Sequence, residues 1–422
     1  MRLSTVGLIA AVCAAEVLTM LGFSTFAALL PFFKQAWALS NTDAGWISAI
    51  FFAGYTLAVP VLVSLTDRVD PKRIYLLSAA LAGAAGLGFA VFAEGFWSAL
   101  LFRGLAGVGL AGTYMPGLKA LSDHVGTEHQ SRAVAFYTSS FGIGAALSFP
   151  LASLLAEGPG WRWAFAGPGA AAVLAGLLVL LLVPRSAPHH LQAPDTALLD
   201  FRPVLRNRSA LAYTLCYTVH NWELFGFRSW IVAFLVFAGA NGAGGGARLL
   251  DPTVIAAVVI LLGMPTSILG NELSMRFGRR RTVALIMAAS ALLCFTIGFT
   301  AALPYLVVVL FCVLQGFTVS GESASVTAGA LGSAAPGYRG ATMAMHSTLG
   351  FTGSFFGPLV FGLVLDLAGG QSVLAWGLAF GHMGLVMLGG PLALALLRPK
   401  PLPGDRGHVA DGEPEAPDAG AG

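Results

Sequence analysis

The 422-residue chain is 56% hydrophobic and only 10% charged, with a mean hydropathy of +0.79 and a formal net charge of +3. A soluble domain carries about 25% charged residues, and this much apolar side chain exceeds what a water-soluble globule can cover. The composition therefore excludes a soluble enzyme, a nucleic-acid binder and a disulfide scaffold, and it marks an integral membrane protein.

A membrane-crossing helix needs roughly 20 mostly apolar residues. In chain order such runs fall near 5–33, 44–66, 74–95, 97–121, 133–156, 164–184, 209–238, 252–274, 282–302, 304–329, 341–367 and 373–397. They are apolar all round and lack the period-2 alternation of a membrane barrel, so the expectation is an all-α protein with twelve transmembrane helices. The first run opens like a secretory signal after Arg2. It continues past Leu29 to Phe33, beyond the about 7–15 apolar residues of a signal, and reads as a retained helix. Asp43 and Asp251 stand where they would N-cap the second and eighth spans.

Of the 23 Lys and Arg, only Lys34, Arg162 and Arg248 fall in loops on the side opposite the termini. The positive-inside rule then places both termini in the cytoplasm, across a cell inner membrane. Cys13, Cys216, Cys294 and Cys312 all lie within spans and read as packing residues. No metal-ligand spacing appears, and neither a cofactor nor a metal is expected. The tail 398–422 is polar and rich in Pro, Gly and acid, the composition of a disordered segment.

A shift of 208 positions lays Asp43 on Asp251, Arg68 on Arg276, Arg73 on Arg281, Ser139 on Ser347, Gly142 on Gly350 and Pro150 on Pro358. Asp and Arg matches at one offset, in a chain so poor in charge, indicate two six-helix repeats. The halves would be 1–184 and 209–397, with a cytoplasmic linker at 185–208. Such a parallel repeat places a substrate site at mid-membrane between halves that rock.

Asp67-Arg68-Val69-Asp70-Pro71-Lys72-Arg73, its copy Met275-Arg276-Phe277-Gly278-Arg279-Arg280-Arg281, Arg103-x-x-x-Gly107, and Gly160-Trp161-Arg162-Trp163 stand at matching places in the pattern. Together they resemble the signatures of the major facilitator superfamily (MFS) over about residues 5–397. The resemblance implies the MFS fold and alternating access. It also implies a gating latch at the cytoplasmic helix ends from Asp67, Arg68, Arg73, Arg276 and Arg280. Met275 replaces the acid in the second copy, which should weaken that latch. The resemblance further implies a role for Arg103 in binding or proton movement, and a monomer.

Ionisable groups inside hydrocarbon are costly and mark function. Glu16 and Glu223 lie about 16 Å and 21 Å from the inner ends of their spans at about 1.5 Å per residue. Glu322 sits in the inner half of the tenth span. A carboxyl so placed can take and release a proton, as a proton-coupled carrier requires. His220 lies three residues before Glu223 on the same helix face and is a candidate relay. Gly226 would let this span break, and Arg228 would take an oxyanion in bidentate fashion. Gly353-x-x-x-Gly357-Pro358-x-x-x-Gly362 would let the eleventh span approach its neighbours closely.

The expected function is a secondary active transporter, proton-coupled, moving a small organic anion or metabolite across the bilayer. An efflux antiporter for amphipathic compounds is the alternative, although Ser148 and Phe149 stand where an antiporter signature has glycines. A non-transporting sensor would carry a folded cytoplasmic domain, and none is visible. No catalytic constellation for an enzyme and no phosphate-binding loop for a primary pump stands out.

Overall fold

The computed structural model describes residues 4–66, 68–185, 201–242, 250–402 and 405. Asp67, most of the linker 185–208 and the tail beyond residue 405 lie outside the described residues. Among the described residues there is no strand, and eleven helices are long and apolar enough to cross a membrane.

Those eleven are Asn41–Leu65, Pro71–Phe92, Phe96–Ser122, Thr127–Glu157, Trp161–Leu182, Arg208–Asn241, Pro252–Phe277, Arg279–Ala302, Tyr305–Gly332, Arg339–Leu367 and Val373–Leu397. They match the second to twelfth expected spans. The first span is assembled from three pieces, Thr5–Met20, Thr25–Ala28 and Leu30–Ala36. The single helix expected over 5–33 is thus interrupted at 21–24. Backbone outside a helix at this depth must be satisfied by protein. The Ser24 amide donates to Ser148 Oγ (3.0 Å) on the fifth span, and Ser24 Oγ donates to the Ala145 carbonyl (3.3 Å).

Two further expectations are corrected. Gly226 does not break the seventh span, which runs without interruption from Arg208 to Asn241. The interruption falls instead at Glu322, between Tyr305–Gly321 and Ser323–Gly332. At the second span, Ser40 is the N-cap and Asp43 completes a capping box three residues on, whereas Asp251 caps the eighth span through the amides of Thr253 and Val254.

Apolar side chains cover the outside, with Leu57, Leu181 and Leu367 more than three-quarters exposed. This suits a lipid-facing surface rather than a watery one. Inside, small residues bring backbones together. Gly107 abuts the backbone of Phe51, and Gly316 meets Val259, the repeat counterpart of Phe51. In the eleventh span, Gly353 and Gly357 pack on the backbone of Thr218 and Trp222, while Gly362 packs on Asn41 in the other half. A side chain at any of these positions would push helices apart.

The halves meet along the second and eleventh spans and along the fifth and eighth, where Gly142 abuts Met264. Asp366, at the end of the eleventh span, receives four hydrogen bonds from the start of the second. The donors are the Asn41 amide (3.1 Å), Asn41 Nδ2 (2.7 Å), the Thr42 amide (2.7 Å) and Thr42 Oγ1 (2.6 Å). Lys34 Nζ donates to Asn41 Oδ1 beside them. Below this polar latch, an aromatic layer bridges the halves through Phe52–Phe225 (4.5 Å between centroids) and Tyr55–Phe351 (4.4 Å). The molecule is closed at this end, opposite the arginine-rich loops.

Candidate functional site: three buried carboxyls within the two halves

Glu16, Glu223 and Glu322 are fully buried. The first span carries Glu16 toward the fifth, where Tyr137 donates its hydroxyl to Glu16 Oε2 (2.8 Å). The same hydroxyl lies 2.9 Å from the Tyr114 carbonyl. The Thr113 carbonyl lies 3.2 Å from it as well, and a phenol has one proton, so the three acceptors compete for it. When Glu16 is ionised, Tyr137 can donate to it. When Glu16 carries a proton, the carboxylic acid can donate to the phenol, which then turns its own proton to Tyr114. The geometry holds both protonation states without an unpaired donor.

Glu223 lies in the second half. Its Oε1 accepts from Ser290 Oγ (2.6 Å), from Gln315 Nε2 and from Cys294 Sγ (3.3 Å). These donors come from the ninth and tenth spans. Glu223 Oε2, like Glu16 Oε1 and Glu322 Oε2, has no hydrogen-bond partner. Each acid therefore keeps one oxygen tied and one oxygen free to take a proton. Cys294 is more than packing, since its thiol donates to the carboxyl.

His220 shares a helix face with Glu223 but makes its bond elsewhere. Its Nδ1 sits 3.1 Å from Glu322 Oε1, and both residues are essentially unexposed. The interruption at Glu322 directs that carboxyl to the seventh span. Tyr217 stacks with His346 at 4.0 Å and with His220 at 5.8 Å between centroids. Both ring nitrogens of His346 are buried without partners.

The predicted cations are scattered. Arg228 is half-buried and lies over the Phe225 ring at 5.8 Å, with no ion pair to Glu16 or Glu223 among the described residues. Arg103 does not snorkel to the membrane surface. It is 6% exposed, folded into the first half over the Phe51 ring at 4.4 Å. Gly107 explains this placement, because its close approach to Phe51 brings the guanidinium onto the ring.

At the arginine-rich end, Arg68, Arg73, Arg276 and Arg280 are exposed. The buried cations there are two that sequence reasoning passed over. Lys72 donates to the carbonyls of Leu180 (2.8 Å) and Val183 (2.5 Å) at the end of the sixth span. Such carbonyls carry the negative end of the helix dipole. Arg279 donates to Asn271 Oδ1 (2.9 Å), the Ser325 carbonyl (3.1 Å) and Asp405 Oδ1 (3.1 Å). Asp405 is buried, so this stretch of the tail is packed on the second half, against the disorder expected of it. It supplies an acid beside the motif copy in which Met275 stands in place of the acid.

Tyr137, Ser290, Gln315, Asp366 and Asp405 gave no sequence signal. Each is an ordinary polar residue until a neighbouring helix is placed against it. Among the described residues no group of His, Cys, Asp and Glu could hold a metal ion.

Twelve spans in two repeats, with fully buried acids held inside each half, define a membrane carrier. The family model of the Major Facilitator Superfamily matches residues 12–250 and 246–419, and the chain belongs to that family of transporters. Protein spinster homolog 1 of Bos taurus is 26% identical over 322 residues, 72% of this chain. The chain spans about 60% of that relative's length. Sphingosine-1-phosphate transporter SPNS2 of Mus musculus is 25% identical over 83% of this chain and 68% of its own. Among solved structures, a bacterial homolog of the human lysosomal transporter Spinster, in an inward-facing and occupied conformation, has the same fold. Its TM-score is 0.71 at 16% identity, covering 92% of this chain and 94% of that one. The nucleoside transporter NupG matches with a TM-score of 0.72 at 14% identity, over 92% and 99%.

Proposed function

We propose that this chain is a proton-coupled secondary transporter of an amphipathic organic anion, working by alternating access between its halves. One observation carries the proton coupling. All three mid-membrane carboxyls are held by neutral donors or by histidine, with no Lys or Arg paired to any of them among the described residues. A permanent counter-ion would lock an acid in its ionised form, whereas hydroxyl, amide and thiol donors tolerate both forms.

The anionic, amphipathic character rests on Arg228 beside Phe225, where a fork of donors adjoins an aromatic layer. The chemistry named for SPNS2, a phosphorylated lipid, is of that class. Alternating access rests on the closure between Asp366 and the second span, at the end opposite the arginine-rich loops. On this reading the membrane is the cytoplasmic one, both termini are cytoplasmic, the monomer is the working unit, and the protein is not an enzyme.

The test is substrate-driven proton movement. Purified protein is placed in liposomes loaded with a pH-sensitive dye, and carboxylated and phosphorylated amphipaths are added outside. A substrate that acidifies or alkalinises the lumen in wild type, and does neither in Glu223→Gln, supports the reading. Tracer movement of the same substrate without any proton signal would overturn the coupling. Responses to cationic amphipaths alone, surviving Arg228→Ala, would favour efflux of cations instead.

A further inference from the structure

The first half holds a partly open cavity of about 60 Å³, lined by its own spans and by no residue of the second half. It is walled by Phe51, Phe89, Phe102, Phe165 and Leu110, and it lies among the first, second, third, fourth and sixth spans. Two polar side chains enter this apolar wall with their donors uncommitted. Arg103 is 94% removed from solvent and makes no hydrogen bond or ion pair among the described residues, with its Nε fully buried. Thr25 is completely buried, and its hydroxyl has no partner. Thr25 reaches the cavity because the first span is interrupted just before it.

A buried guanidinium demands an acceptor. The Phe51 ring supplies only a cation–π contact. The wall offers donors and no anionic acceptor, so what completes it is an anion. The flat fork of a guanidinium matches a carboxylate through two parallel hydrogen bonds, and the threonine hydroxyl can donate a third. A water needs roughly 10–15 Å³ of such space, so the cavity takes a group of a few heavy atoms.

We propose that this cavity is a carboxylate-binding site within the first half, separate from the path between the halves, with Arg103 and Thr25 as its ligands. The carboxylate comes either from a small free acid or from the head of a fatty acid. Because the site uses neither Glu16, Glu223 nor Arg228, it stands or falls independently of the transport reading.

The experiment is equilibrium binding of radiolabelled acetate and of radiolabelled decanoate to the purified full-length chain in detergent. Wild type, Arg103→Gln, Arg103→Lys, Ala106→Leu and Arg228→Ala are compared, each checked for a monodisperse elution profile. One saturable site per chain is expected. Arg103→Gln should weaken it about ten- to a hundredfold, the value of a charge-assisted hydrogen bond. Ala106→Leu, which keeps the guanidinium and fills the space, should also abolish binding. Arg103→Lys should retain part of it, and Arg228→Ala should leave it intact. Acetate binding identifies a free acid as sufficient, and decanoate binding alone identifies an acyl amphiphile. No saturable site in wild type, or one unchanged in both Arg103→Gln and Ala106→Leu, would overturn the proposal. Equal displacement by chloride would overturn its carboxylate chemistry.

Discussion

The Asp366 latch joins the two halves at one end, and replacing it with asparagine isolates what the charge contributes. In the structure the carboxylate accepts from two backbone amides and two side chains at the start of the second span, between 2.6 Å and 3.1 Å. The negative group also sits at the positive end of that helix. Asparagine keeps one acceptor but places an NH2 where the Thr42 amide and hydroxyl need an oxygen. Hydrogen bonds to a charged group are worth about 1.5–3 kcal/mol each when buried. Asp366 is half-exposed, and solvent reduces that figure. A net loss of about 1–2 kcal/mol follows, a factor of roughly 5–30 in the population closed at this end.

The assay is a distance distribution between spin labels at Ser40→Cys and Leu367→Cys, recorded with and without Asp366→Asn. The native cysteines are mostly buried and should label weakly. The substitution should move a substantial part of the distribution to longer distances. A distribution unchanged by Asp366→Asn, in protein of unchanged thermal stability, would refute the idea that these bonds bias the equilibrium between states.

Other expectations follow from single contacts. Asp405→Ala strips the ion pair from a buried Arg279, and loss of one partner of such a pair costs about 3 kcal/mol. The midpoint of thermal unfolding should fall, and the double variant Arg279→Met/Asp405→Ala should recover much of it. Gly353→Ala drives a methyl into the backbone of Thr218 and should cost about 1–3 kcal/mol, readable in the same unfolding experiment. Tyr137→Phe removes the donor of Glu16 while keeping the ring. The prediction is folded protein whose substrate-driven proton signal has an altered pH profile, and an unchanged profile would disconnect this tyrosine from coupling.

The chain reveals its spans, its repeat and its three intramembrane acids because these depend on sums and spacings along the sequence. An apolar run of sufficient length crosses lipid whatever surrounds it, and Asp251 caps its helix through amides only two and three residues away. The choice of partners lies outside that information. His220 stands three residues from Glu223, yet it bonds Glu322, about a hundred positions away, because the tenth span is interrupted at that residue. Of the arginines in the second motif copy, Arg279 is buried and Arg276 and Arg280 are exposed, a choice set by where Asn271, Ser325 and Asp405 come to rest. The sequence offered Gly226 as the place for a helix to break, but the seventh span stays whole because packing against the eleventh satisfies it.

What the sequence alone determined is therefore the solvent of this protein, the number of its crossings and the span on which each acid lies. Only the tertiary structure decided which oxygen each acid has tied, which end is latched, and that Arg103 faces a cavity of its own. Burial along a helix is additive in sequence, whereas a hydrogen bond between helices exists only once two distant segments share the same few ångströms.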